Sequence, residues 1–357
     1  LTPSTGSRGG CIRINKKRTA MIAIGVVCVA AVILALVRLR GFDWTKFFAA
    51  FRDLNWGWLA ASALMALGTY VVRAERWRVM IRPICPGAGF WGLLVSTAIG
   101  FTALVLFGRP GEFVRPYLIA TKNKLTVTSQ VAVWFLERIY DLLIVLVLFG
   151  FALTRVQASG ASLGPDIRWL LQTGGHIVGI AGTICLVVLI FLRYFSETFR
   201  RRITDALGVL PARLQEPAVK TVDALFEGVQ SARSGTFVVQ LVLYSIAEWI
   251  VITACFLFLF WSFPDTAAFT LTDVLIFLGF VAIGSVVQIP GIGGGMQVAS
   301  VIVLSEVFSI RFESASALAI LLWAITFLVI VPIGLLLAFH EGLNLRKLRD
   351  IEQKSEI

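Results

Sequence analysis

Residues 274–305 read VLIFLGFVAIGSVVQIPGIGGGMQVASVIVLS, 32 residues without a charge. As one α-helix the run would be about 48 Å long, well beyond the ~30 Å hydrocarbon core of a bilayer. Its centre argues against that helix. Pro290 removes a backbone donor, and four glycines follow within five residues. The run is read as two apolar arms with irregular backbone between them. Such backbone is tolerated at membrane depth only where protein or a wet cavity satisfies it.

The rest of the chain has the same character. Of 357 residues, 58% are hydrophobic and 15% charged, with a mean hydropathy of +0.86. An ordinary soluble domain is roughly 45–50% apolar and about a quarter charged, so a soluble enzyme and a disordered chain are excluded as classes. Cys11, Cys28, Cys85, Cys185 and Cys255 are scattered and make no CxxC pair. They read as reduced structural thiols, not as a disulfide framework.

Further apolar runs cover 19–37, 56–72, 90–108, 125–154, 169–192, 234–263 and 314–339. The third stops at GRPGEFVRP, and the fourth carries ERIYD at its centre. The fold class that follows is an all-α polytopic membrane protein: six full spans plus two broken, re-entrant hairpins at about 91–121 and 274–307. AIG occurs at 98–100 and again at 282–284, and each is followed by Pro-Gly, at 110–111 and 290–291. This raises an inverted repeat, with chance similarity of apolar segments as the alternative. The domain expectation is a basic tail over 1–18, a membrane domain over 19–340 and a second tail over 341–357.

The net charge of +11 belongs to topology, since no compact basic domain exists to grip a duplex. With both termini inside, the inside stretches hold 24 Lys and Arg and the outside stretches seven, leaving Arg138 in the membrane. That bias fits the positive-inside rule and predicts a multi-pass membrane protein with cytoplasmic termini. Residues 38–55 carry four basic residues on the wrong side, and FDWTKFFAAFRDLNW reads as an amphipathic strip on the outer surface. Within 193–233, Arg200, Arg201 and Arg202 precede Val222, Leu225, Phe226 and Val229 at helical spacing. A cytoplasmic interfacial helix is preferred there to a partner-docking one.

An ionisable group in hydrocarbon costs roughly 2.5–3.5 kcal/mol and is a functional candidate for that reason. Glu137, Arg138 and Asp141 share a helical face near mid-run. One cation between two anions predicts a net negative cluster; the rival reading is a structural ion pair. In GRPGEFVRP, a helix restarting at Glu112 would offer N–H groups to a phosphate beside Arg115, with Arg109 adjacent. Alternatively, this is a loop at headgroup level. In the late segment, Gln288, Pro290, Gly291, Gly293, Gly294, Gly295 and Gln297 would let a headgroup approach bare backbone. Tight packing explains the same glycines. Glu248 stands alone in its run as proton carrier or satisfied polar group. His176 reads as a helix histidine, and Arg73, Arg76, Trp77 and Arg78 as an anchor where the second span leaves the membrane. With no HExxH, GxSxG, Walker loop or Cys/His spacing, no catalytic set, metal site or cofactor is expected.

RAERW, GRPGEFVRPYLIA, FLERIYD and IPGIGGGMQ, in this order, resemble the flippase-like transmembrane family, the membrane region of lysylphosphatidylglycerol synthase. The resemblance spans about 19–340. It implies a lipid translocase fold with re-entrant segments. Glu112 and Arg115 match the family's GE-x-x-R element, and Glu137, Arg138 and Asp141 its ER-x-x-D element. The late element usually ends in Glu; Gln297 stands there here. The family's soluble aminoacyl-transferase domain is not expected in this chain. The function expected is translocation of a phospholipid or lipid-linked anionic headgroup between leaflets, without enzymatic activity. A scaffold for a separate lipid-modifying enzyme and a membrane-embedded transferase are the alternatives. Partners are membrane lipids (anionic, aminoacylated or isoprenoid-linked), a second copy of the chain or a lipid-modifying enzyme, and not nucleic acid.

Overall fold

The computed structural model describes residues 42–158, 180–191, 194, 196–208, 211–230, 234–284, 288–289 and 293–342. The expected first span at 19–37, the tail at 1–18, most of 341–357, His176, Pro290 and Gly291 lie outside the described residues. Two units are distinguished, 1–46 and 47–357. In the first, Asp43 Oδ1 accepts the N–H groups of Thr45 and Lys46 at 2.9 and 3.2 Å. A short helix, α1, covers Trp44–Ala49.

Within 47–357 the same element order occurs twice. A long helix comes first: α2 (Trp56–Ile81) in one set, α9 (Gly235–Ser262) in the other. A broken segment follows. In the first set it is α3 (Phe90–Phe107), a 3-10 turn (Arg109–Phe113) and α4 (Val114–Asn123). In the second it is α10 (Leu271–Gly284), a two-residue ladder and α11 (Gly295–Ile302). A second long helix closes each set: α5 (Val127–Ala158), and α12 (Phe312–Trp323) continued through a π turn into α13 (Ile330–His340). Between the sets lie α6 (Ile180–Phe191), α7 (Ser196–Leu207) and α8 (Ala212–Gly228). α7 packs on α8, and α8 packs on α5. Arg200 Nε donates to Asp223 at 2.8 Å across the first of these contacts.

The two sets correspond in detail. In each, the glycine of the Ala-Ile-Gly triplet meets the residue fifteen positions on. A Cβ at Gly100 would sit 2.5 Å from Arg115 Cβ, and one at Gly284 would sit 2.5 Å from Ala299 Cβ. Both second arms therefore fold back against their first arms. The turn in each uses a glycine at positive φ, Gly108 at +74° and Gly294 at +137°, which other residues rarely adopt. Lys124 and Ser309, the two non-glycine residues at positive φ among those described, stand at matching places before the closing long helix.

The contacts are exchanged between the sets. α3 packs on α13, and α10 packs on α5. The equivalent helices α2 and α9 form one pair and run antiparallel: Asn55 N–H donates to Ser262 O at 2.9 Å, and Ser62 Oγ to Cys255 O at 2.7 Å. Asn55 also caps α2 through Gly57 N at 3.0 Å.

Among the described residues, four helices are long and apolar enough to cross a membrane: Trp56–Ile81, Phe90–Phe107, Gly235–Ser262 and Phe312–His340. The expected run at 125–154 is the continuous 32-residue α5, and that at 169–192 is described from Ile180 to Phe191. The expectation for 274–305 meets two helices with a break, where Gln288 pairs with Gly294 and Ile289 with Gly293.

Glycine also sets the α3–α13 approach. A Cβ at Gly334 would fall 1.9 Å from Thr102 Oγ1 and 2.8 Å from Ala98 O. Gly334→Ala is expected to cost about 1–3 kcal/mol through overpacking. Gly150→Ala on α5, where no described residue lies within 4 Å of an added Cβ, should add about 0.5–1 kcal/mol by helix propensity. Thermal unfolding in detergent should shift Tm in opposite directions for the two.

Candidate functional site

Four elements bring charge to one place. On α2, Ala66, Thr69, Tyr70, Arg73, Arg76 and Trp77 recur every three or four residues and so share a face. On α5, Trp134, Glu137, Arg138, Asp141, Leu142 and Val145 do the same. α9 adds Glu248, Ile252 and Cys255, and the first turn of α4 adds Arg115.

Arg76 sits at the middle and is fully buried. It donates to Glu137 Oε1 at 2.7 Å, Asp141 Oδ1 at 2.6 Å and Ser245 Oγ at 3.2 Å. Its guanidinium also lies 3.1 Å from Glu248. Arg115 donates to both oxygens of Glu137. It stacks 4.1 Å above the Trp77 ring and lies 5.3 Å from that of Phe101, and the bare backbone of Gly100 lets its stem come this close. Trp77 is fixed in turn by Nε1 donating to Gln130 Oε1 at 3.0 Å. Arg138 reaches Glu137 at 3.2 Å and Asp141 at 3.1 Å. Arg73 lies 2.8 Å from Glu248 and 4.8 Å above Phe101.

Four arginines therefore meet three carboxylates, a formal charge of +1. The expected net negative cluster is corrected by two arginines that RAERWR contributes. α2 does not stop where the apolar run ends; it continues to Ile81 and turns Arg73 and Arg76 inward. Arg78, paired with Glu75 at 2.8 Å, stays 45% exposed. The spacing of Arg73 and Arg76 from Tyr70 was the available signal. Glu248 is likewise not alone, because the antiparallel α2–α9 pair sets it against both arginines.

GRPGEFVRP forms a 3-10 turn, and the helix resumes at Val114, two residues after the expected start. Arg109 pairs with Glu112, whose Oε2 also accepts from Trp134 Nε1 at 3.2 Å. In the late segment, Gln288 and Gly293 belong to the ladder. The N–H of Gly294 is taken by Gln297 Oε1 at 2.6 Å, so the amide side chain caps the arm that starts at Gly295.

The charged cluster forms one wall of a cavity of about 570 Å³. Arg73, Arg109, Glu112, Arg115, Arg138, Asp141 and Glu248 line that wall. Leu146, Ile252, Phe256, Val281, Met296 and Phe327 are among the residues of the apolar remainder. Glu137 and Arg76 lie behind it. Among the described residues, the second broken segment reaches the cavity through Leu278, Val281 and Ala282 on α10 and Met296 on α11; Gly294, Gly295 and Gln297 do not line it. No group of three His, Cys, Asp or Glu among the described residues could hold a metal ion. Such a cavity can hold an anion against guanidinium groups and an apolar chain against the apolar part of its lining.

Removing one member of a buried ion network leaves its partners uncompensated. Arg76→Met is expected to lower stability by about 3–5 kcal/mol, read as a large drop in Tm in detergent. Arg76→Met combined with Glu137→Gln should recover part of that loss.

A family model described as the lysylphosphatidylglycerol synthase TM region matches residues 21–334. No curated protein and no solved structure matches the chain. The matched stretch includes every side chain of the ion network and every residue of the cavity wall. The chain is a membrane protein belonging to the lysylphosphatidylglycerol synthase transmembrane-region family.

Proposed function

We propose that the protein is a translocase that carries a lipid with an anionic headgroup between leaflets. The single observation that carries this reading is that the cavity's lining combines an arginine-rich charged cluster with apolar side chains further along the same helices. A phosphate group cannot cross ~30 Å of hydrocarbon unaided at a useful rate. Guanidinium groups replace its water, while the chain stays against Phe256, Ile252 and Phe327.

The paired element order supports an inverted repeat about an axis in the membrane plane, with α3–α4 and α10–α11 entering from opposite faces as re-entrant hairpins. In this reading the protein lies in a bacterial inner membrane with cytoplasmic termini, its partners are lipids, and no covalent chemistry is required. Cysteines placed at the exposed positions Lys124 and Ser309 are expected to label from opposite sides with a membrane-impermeant thiol reagent. Labelling from one side would remove the inverted arrangement.

The function itself is tested in proteoliposomes with a fluorescent phosphatidylglycerol and a leaflet-specific quencher. Wild-type protein should move the probe at least tenfold faster than empty liposomes. Met296→Trp, which fills the apolar part of the lining, should return the rate towards that background with Tm little changed. If wild-type protein moves neither this probe nor an aminoacylated or isoprenoid one, the carrier reading falls and a scaffold role takes its place.

A further inference from the structure

We infer that Arg73 is the headgroup-binding arginine, trading Glu248 for a phosphodiester, and that the site accepts one net negative charge. This rests on the carrier reading and adds which residue recognises the ligand and what charge it matches. Three of the four arginines are committed. Arg76 donates to two carboxylates and a hydroxyl, Arg115 to both oxygens of Glu137, and Arg138 bridges Glu137 and Asp141. Arg73 has one ionic partner among the described residues, Glu248.

That partnership is built for exchange. The atoms lie 2.8 Å apart, yet neither oxygen of Glu248 receives a hydrogen bond among the described residues. The contact has charge without an aligned N–H, whereas a charge-assisted hydrogen bond to phosphate would supply both. Glu248 is not stranded when Arg73 leaves, since Arg76 remains 3.1 Å away. Arg73 also lines the cavity and is 15% exposed, against 0% for Arg76 and 4% for Arg115; Arg138 is 35% exposed but faces two carboxylates where Arg73 faces one. Its guanidinium lies over Phe101, as does that of Arg115, so the two can converge on one group.

The charge count sets the ligand. Once Arg76 keeps Glu248, Arg115 keeps Glu137 and Arg138 keeps Asp141, Arg73 is the cation left over. A phosphodiester monoanion balances it, a zwitterion leaves it without net compensation, and a dianion overshoots.

The test is equilibrium binding to the purified full chain in detergent. The probes are dihexanoylphosphatidylglycerol, dihexanoylphosphatidylcholine and water-soluble glycerophosphoglycerol. Wild-type protein should bind the first at least tenfold more tightly than either other probe. Arg73→Gln should weaken phosphatidylglycerol binding tenfold or more and bring its ratio to phosphatidylcholine near one. Glu248→Gln, which removes the competitor, should tighten phosphatidylglycerol binding threefold or more. Opposite signs from the two halves of one ion pair are what a purely structural pair would not give.

Binding of phosphatidylglycerol by Arg73→Gln within twofold of wild type overturns the inference, as does a parallel loss in both variants. Equal binding of glycerophosphoglycerol would assign the site to a free solute and overturn the lipid ligand. If Arg73→Gln does not fold, the sign of the Glu248→Gln effect decides alone. Binding as expected without translocation would sink the carrier reading and leave the site standing. Translocation that ignores Arg73 would sink this inference alone.

Discussion

Seven ionisable side chains share a largely buried space, and the remainder of the structure follows from keeping them in balance. An isolated charge there would cost several kcal/mol. Each guanidinium is therefore held against a carboxylate, and each carboxylate against at least two guanidiniums. No single helix supplies the whole set. α2 brings only cations to it, α9 a single anion, α4 a single cation, and α5 both signs. The cluster exists only when all four are packed, so correct assembly and a polar interior are one condition.

Small residues make that packing possible. The stem of Arg115 approaches α3 only because Gly100 has no side chain, and the second broken segment closes at Gly284 in the same way. The aromatic residues then act as spacers. Trp77 and Phe101 offer flat faces to Arg115, whose hydrogen bonds are directed to Glu137. A guanidinium tolerates this arrangement better than an ammonium would, because its faces are weakly hydrated.

Much of this was legible from residues alone. The break in 274–305 follows from length and from Pro290 with its glycines, both local properties. The face shared by Glu137, Arg138 and Asp141 follows from helical spacing. What local sequence did not show was tertiary. Arg73 and Arg76 look like an anchor because flanking arginines usually meet headgroups, and their spacing from Tyr70 is the one local hint that they share its inward face. Glu248 looks solitary because its partners lie more than 170 positions away in the chain. Pairing of antiparallel helices is invisible to periodicity, and so is the role of Gln297, whose amide closes its own turn.

The two halves match in backbone but not in chemistry. Arg115 in one stands where Ala299 stands in the other, and Glu112 corresponds in register to Met296. The paired element order is kept while the polarity differs. In the proposed carrier, a lipid would therefore lie with its ionic end against the half that supplies every arginine of the cavity.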